Sequence, residues 1–187
     1  MIYIDENIWD FDLQETLATV SPQRRQQALR YCQERDQRLC VAAYRLLQRA
    51  LLQEYGITDL PQFTYDNKGK PSLIGHNSIH FSLSHCREAV ACAVSDRPIG
   101  IDIEMLDHYS EKVAALTMNE EEMVQIKTSP HPNTEFTRLW TMKESLLKAT
   151  GYDNDGDIAN MLSQASLCHF VTITTPDYII TTCQENI

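Results

Sequence analysis

The stretch Ile99-Gly100-Ile101-Asp102-Ile103-Glu104 constrains this chain more than any other. Apolar and acidic residues alternate at period two, the pattern of a strand with two unlike faces. Asp102 and Glu104 then share one face, about 7 Å apart at ~3.3 Å per residue, while Ile101 and Ile103 anchor the other face in a core. Two carboxylates side by side repel unless a positive charge lies between them. A hard divalent cation fits that place, because Mg²⁺ takes oxygen ligands and commonly uses one or two carboxylates alongside phosphates. The plainer alternative is an edge strand carrying two solvated acids.

At 187 residues the chain can bury a core as one domain or as two small halves. A hydrophobic share of 43% with 22% charged residues is that of an ordinary globular protein. No apolar run approaches the ~20 residues of a membrane span. The N-terminus also lacks a basic segment followed by an apolar one, so a cytoplasmic protein is expected. Six cysteines (Cys32, Cys40, Cys86, Cys92, Cys168, Cys183) form no C-x-x-C pair and no zinc-like spacing, which predicts buried free thiols.

Net charge is −10 with a pI near 5.0, which argues against nucleic-acid binding, since phosphate neutralisation needs a basic face. The sign is uneven along the chain. Residues 21–50 carry Arg24, Arg25, Arg30, Arg35, Arg38, Arg45 and Arg49, whereas 102–122 is strongly acidic. A basic first half and an acidic second half suit a ligand that brings both phosphate and metal.

In chain order, Met1–Ile4 is expected as a strand. Ser21 as cap and Pro22 at the first helical position start a short helix over 22–32. A longer helix follows from Glu34 to Tyr55, with Leu39, Ala42, Ala43, Leu46, Leu47, Ala50 and Leu51 at helical spacing and Gly56 as its stop. Arg38, Arg45 and Arg49 lie elsewhere on its circumference and read as a solvated face. Phe63–Tyr65 is a short strand, followed by a turn at 66–69 that Lys70-Pro71 closes. Ile79–His85 and Ala89–Val94 are strands. Asn119 caps a short acidic helix, Glu120–Lys127; Pro130–Pro132 is a loop, and Asn133 or Thr134 caps a helix over Glu135–Thr150 that Gly151 ends. Asp153, Asp155 and Asp157 resemble part of a calcium loop, but Gly156 is misplaced and Gln164 stands where a glutamate is needed, so 152–157 reads as a turn. Strands over 167–174 and 178–183 finish the chain. A long helix ended by glycine and then a pair of strands occurs twice. That predicts an α+β chain of two similar, pseudo-repeated halves, 1–97 and 98–187, with a ligand site at their interface.

The second informative segment is Leu139-Trp140-Thr141-Met142-Lys143-Glu144-Ser145-Leu146-Leu147-Lys148. Trp140, Glu144 and Lys148 recur every four residues and line one stripe of a helix, while Leu139, Met142 and Leu146 turn elsewhere. Alone this is an amphipathic helix with one Glu–Lys pair. Taken with Asp102 and Glu104 it supplies three carboxylates and a lysine, the set that a metal-bound phosphoryl group requires.

Gly100-Ile101-Asp102-Ile103-Glu104 and Trp140-x-x-Lys143-Glu144-Ser145-x-x-Lys148 resemble the two signature motifs of the 4′-phosphopantetheinyl transferases. Gly69-Lys70-Pro71 and Phe81-Ser82-Leu83-Ser84-His85 resemble two further motifs of that family, in its order and at similar separations. The similarity covers roughly residues 21–150 and is closest to the surfactin-synthetase-activating type, a monomer of two similar α+β halves. The resemblance implies transfer of phosphopantetheine from coenzyme A to a serine of an apo acyl or peptidyl carrier protein, releasing 3′,5′-ADP. It further implies that Asp102, Glu104 and Glu144 hold Mg²⁺, or Mn²⁺, against the pyrophosphate and that Lys148 contacts phosphate. Glu144, or a nearby acid such as Glu120, helps deprotonate the serine. Lys70, Pro71, Ser84, His85 and Arg38 match coenzyme A contacts, and Arg24 lies near a basic position that meets the 3′-phosphate in relatives. The first half is then the coenzyme A side and the second the metal side. Trp140 is expected to pack beneath its helix.

Two features depart from the family pattern: the loop after the lysine helix is acidic, and the chain is short at its C-terminus. An acidic carrier must meet a local apolar or basic patch on so acidic a protein, and residues 105–127, with Met105, Leu106, Val113, Leu116 and Met118, are the candidate. Two other activities share these features. A metal-dependent nucleotide pyrophosphohydrolase needs the same acids with a positioned water, and a non-catalytic module would hold coenzyme A or a carrier without turnover.

Overall fold

The structure of the chain, a computed structural model, describes residues 1–107, 109–151, 157–165 and 168–185. It divides into two compact units, Met1–Arg97 and Pro98–Ile187. The acidic turn over 152–156 and the expected start of a strand at 167 lie outside the described residues.

The first unit contains β1 (Ile2–Asp5), α1 (Leu13–Leu17), α2 (Pro22–Ala28), α3 (Glu34–Tyr55), β2 (Phe63–Tyr65), β3 (Pro71–Leu73), β4 (His80–His85) and β5 (Val90–Ser95). Ser21 caps α2 by accepting from the Arg24 backbone N–H, with Pro22 at the first helical position, and Gly56 ends α3 in the left-handed region at φ 66°. The periodic apolar residues of α3 are buried with Tyr44, whose hydroxyl donates to the Pro61 carbonyl at 2.8 Å. They close one core with Val90, Cys92 and Val94 of β5, the middle strand of an antiparallel β1-β5-β4 sheet. The arginines of α3 are not a plain solvated face. Arg38 stacks over Trp9 and Phe11, Arg45 over Phe11 and Arg49 over Tyr3, so the N-terminal segment lies along the helix through its aromatic rings.

The second unit contains β6 (Ile99–Met105), α4 (Glu111–Thr117), α5 (Glu120–Thr128), α6 (Pro132–Thr150), a 3₁₀ segment Ile158–Gln164, β7 (Cys168–Thr174) and β8 (Tyr178–Glu185). The last strand is central: the antiparallel order is β6-β8-β7. Helix α6 starts at Pro132, within the expected loop, because proline's missing N–H falls where the first turn has no carbonyl to offer it. Asn119 and Glu122 form a reciprocal capping box at the start of α5. Elements α1, α4, β3 and the 3₁₀ segment were not expected; each is short and lacks the long periodic signal that marks α3 and α6. Among the described residues no helix is long and apolar enough to cross a membrane. All six cysteines are free thiols, but Cys32 is exposed and Cys168 half-buried, which corrects the expectation of uniform burial.

Helix α6 lies on β6 and β8, and two features bring it close. The buried Thr181 hydroxyl of β8 lies 2.7 Å from that of buried Thr141 on α6 and 3.0 Å from that of half-buried Thr172 on β7, so the three hydroxyls satisfy one another. Gly100 removes the side chain where strand and helix backbones meet. A Cβ there would land on the Ser145 carbonyl oxygen and 2.5 Å from the Ala149 nitrogen. Gly100→Ala must therefore push α6 away from β6. The expected loss is about 1–3 kcal/mol, toward the upper end, since backbone rather than a flexible tip must yield. Urea denaturation measures it, and a midpoint unchanged from wild type would show that the seam is loose.

Candidate active site

Strand β6 presents Gly100, Asp102 and Glu104 to α6, and the helix answers in reverse order. Gly100 meets the backbone at Ser145 and Ala149, Asp102 meets Lys148, and Glu104 meets Trp140. From Asp102 to Glu104 the strand advances about 6.6 Å, whereas Lys148 and Trp140 are eight residues, about 12 Å, apart on the helix, so the two long side chains make up the difference. The stripe Trp140, Glu144, Lys148 and the alternation of β6 thereby form one site.

Asp102 is buried at 3% exposure, and its Oδ1 accepts from Lys148 Nζ at 2.6 Å. Burial pushes the Glu104 carboxyl up to about 7; the Asp102 charge, and less so that of Glu144, add to the rise. The Trp140 indole N–H, donating to Glu104, and the Lys148 ammonium pull the other way. Glu144 is also raised, first by burial and then by Asp102, with Lys148 opposing. Among the described residues that act on Glu104 and Glu144, one lysine stands against three carboxylates.

The three acids thus lie within Coulombic reach of one another. Among the described residues, however, no three carboxylate, imidazole or thiolate groups are gathered into a chelating set. The donor chemistry suits a hard divalent ion: carboxylate oxygens, partly buried, whose mutual repulsion such an ion would relieve. Glu120 stands exposed at the first residue of α5 and is not among the groups that act on Glu104 or Glu144. It borders a hollow of about 490 Å³ between the start of α5 and the 3₁₀ segment.

Of the apolar residues over 105–118, Met105 and Met118 belong to the core, whereas Val113 and Leu116 are exposed, joined on α5 by Val124. The motif lysine Lys143, to which no role was given, is fully buried. Its Nζ donates to the Ile158 and Ala159 carbonyls at 2.9 and 2.8 Å and pairs with Glu122 at 2.8 Å. The capping-box spacing Asn119-x-x-Glu122 was the one signal that could have drawn attention to Glu122.

In the first unit, Arg24 is only 8% exposed, its guanidinium in the corner formed by the perpendicular Tyr44 and Phe63 rings at 5.3 and 5.2 Å. Its Nη1 donates to Cys40 Sγ at 3.4 Å, and its Nε has no hydrogen-bond partner. A buried guanidinium with an unmet donor is a place where an anion would be welcome. Arg38, in contrast, is occupied: it pairs with Glu34 at 2.8 Å and donates to the Phe11 carbonyl at 2.7 Å. Lys70 follows a turn in which Asp66 Oδ1 accepts from the Lys68 and Lys70 backbone N–H groups, with Gly69 at φ 83°; Pro71 then opens β3. The Lys70 charge reaches His80, at the start of β4, and helps burial hold that imidazole below its usual pKa. Ser84 and exposed His85 stand at the other end of β4, roughly 16 Å away at ~3.3 Å per residue. The expected contacts of this unit are therefore spread along β4 rather than gathered at one point.

Comparison with known proteins bears on this arrangement directly. Residues 98–185, nearly the whole second unit, match the model of the 4′-phosphopantetheinyl transferase superfamily. The chain is 32% identical over 154 residues to the 4′-phosphopantetheinyl transferase gsp of Aneurinibacillus migulanus, covering 79% of this chain and 61% of that protein. It is 27% identical over 154 residues to the 4′-phosphopantetheinyl transferase Sfp of Bacillus subtilis, covering 80% and 68%. To the 4′-phosphopantetheinyl transferase HetI of a Nostoc species it is 32% identical over 148 residues, covering 74% and 62%. The chain thus spans about two thirds or less of the length of these relatives. Their matches reach well beyond the second unit, and the unit that matches the 4′-phosphopantetheinyl transferase superfamily, residues 98–185, is the one that holds the acids and lysine that β6 and α6 bring together.

Proposed function

We propose that this chain transfers 4′-phosphopantetheine from coenzyme A to a serine of an apo acyl or peptidyl carrier protein, releasing 3′,5′-ADP. The observation that carries the reading is the β6–α6 seam, which gathers Asp102, Glu104, Glu144 and Lys148 within the segment that matches the family. Asp102, Glu104 and Glu144 are the residues that would hold Mg²⁺, or Mn²⁺ in its place. Such an ion supplies charge neutralisation at the pyrophosphate.

The chain's own part is fixed charge and proton transfer. The serine oxygen bonds to the β-phosphorus, and the bond from that phosphorus to the bridging oxygen of the departing 3′,5′-ADP breaks. The serine proton passes to Glu144, or to Glu120, directly or through a water. Lys148 offsets charge on the phosphoryl oxygens while orienting Asp102. In the first unit, Lys70, Pro71, Ser84 and His85 are spread widely enough to meet different parts of an extended coenzyme A molecule, and Arg24 offers its unmet donor to the 3′-phosphate. Arg38 would have to exchange Glu34 for phosphate. Exposed Val113 and Leu116 are the apolar patch offered to the carrier. A reducing, cytoplasmic setting agrees with six free thiols, and one chain is taken as the working unit.

Intact-mass measurement of several apo carrier proteins, incubated with coenzyme A, Mg²⁺ and this protein, tests the reading. At least one carrier should gain the mass of one phosphopantetheine, and Glu144→Gln should abolish the gain. Release of 3′,5′-ADP with no carrier modified would instead identify a pyrophosphohydrolase. Arg24→Ala should weaken coenzyme A binding by ~10-fold or more, the loss of a charged hydrogen bond worth about 1.5–3 kcal/mol. Binding of 3′-dephospho-coenzyme A should stay unchanged, as read by titration calorimetry. Equal losses for both ligands would assign Arg24 to packing alone.

A further inference from the structure

Lys143 precedes Glu144 in the motif, yet it faces another way. Adjacent helical residues differ by about 100° around the axis, so Lys143 belongs with Phe136 and Leu139. Those two residues are packed in the cluster that holds Ala114, Met118 and Ile126 of α4, α5 and the segment between them. Its ammonium has three protons and meets three acceptors: Glu122 Oε2 from α5 and the carbonyls of Ile158 and Ala159 from the 3₁₀ segment. No donor is left over for a phosphate, and the side chain has no exposed surface through which to reach one. Glu122 Oε2 also accepts from the Asn119 backbone N–H at 3.0 Å, so the same carboxylate that holds the lysine closes the start of α5.

We infer that Lys143 is a positioning residue: by tying α6 to α5 and to the 3₁₀ segment it fixes the rotation of α6, and with it the aim of Glu144 and Lys148. Two grips set that rotation. The β6 side holds the Trp140–Glu144–Lys148 stripe, and the lysine holds the helix about a quarter-turn away. A helix held along one stripe only can roll; held along two, it cannot. Both walls of the hollow beside Glu120, the start of α5 and Ala159-Asn160, are anchored to this one ammonium. The inference rests on the transferase reading for what Glu144 and Lys148 do, but not for the clamp.

Lys143→Met keeps the length of the stem, removes the charge and leaves Glu122 buried without its cation, a costly state. Hydrogen exchange of the backbone amides in 119–124 and 158–164 should accelerate ~10-fold or more in this variant. For carrier modification, kcat should fall ~10-fold or more while KM for coenzyme A stays within about twofold, because the lost group touches no substrate. Lys143→Met/Glu122→Gln removes the stranded charge and keeps an acceptor for Asn119 but does not restore the tie, so exchange over 119–124 should slow again while that over 158–164 stays fast and kcat stays low; recovery of both would assign the defect to the stranded charge and overturn the clamp. A rise of about 10-fold or more in KM with kcat and exchange at wild-type values would make Lys143 a coenzyme A ligand and overturn the inference. Should Lys143→Met not fold, Glu122→Gln alone carries the test. Faster exchange over 158–164 with lower kcat at constant KM supports the clamp, and wild-type values overturn it. If the wild-type protein modifies no carrier, the transferase reading fails, and the exchange comparison still decides whether the clamp exists.

Discussion

Everything in the second unit depends on how closely one helix backbone approaches one strand. At Gly100 the strand has no side chain, and the carbonyl of Ser145 occupies the space. That approach permits a lysine one turn from the helix end to reach a buried aspartate, and a tryptophan two turns earlier to reach the next acid along the strand. Had the gap been a methyl group wider, the same residues would face one another across solvent, where exposed ion pairs contribute little. The seam therefore converts two unremarkable surface patterns into one partly desolvated cluster of charge.

Desolvation has a cost, and the cost is visible. Glu104 and Glu144 are both harder to ionise than ordinary glutamates, chiefly because they are buried and secondly because Asp102 is near. A fold built for stability alone would have placed apolar residues there. The polar residues around the cluster instead satisfy one another, as the Thr141–Thr181–Thr172 contacts do beneath it. Among the described residues that act on Glu104, carboxylates outnumber cations. Such an excess of negative charge suits a ligand that arrives with a cation.

The parts legible in the sequence are those whose signal is periodic. The alternation of 99–104 and the four-residue stripe of 140–148 each declared a face, and those two faces are the ones that meet. Glycine caps at 56 and 151 marked both long helices because each stands in the left-handed region. The 3₁₀ segment and the short helices α1 and α4 were illegible, since seven residues or fewer carry only about two turns of pattern and none of them has the Ser-Pro start that marked α2. Lys143 was misjudged by omission for a different reason. Lysine is seldom buried, and its three acceptors lie 15 to 21 positions away in segments with no signal of their own. The arginines of α3 show the converse: a charged stripe read as solvated is overlain by aromatic rings from the first dozen residues, which only tertiary structure brings there.

Because β8 is the middle strand, Asp102 has Thr181 as its cross-strand neighbour, 79 positions later in the chain. During translation at about 5–20 residues per second, β6 leaves the ribosome and then waits roughly 4–16 s for the strand it must pair with. Until then Ile101 and Ile103 have no completed sheet in which to sit. In the first unit β1 waits likewise for β5, with Ile4 opposite Ala91, but that sheet is complete by Ser95. Biosynthesis therefore runs in one direction: an early scaffold folds first, and the acidic cluster is assembled last, when β8 emerges and settles between β6 and β7.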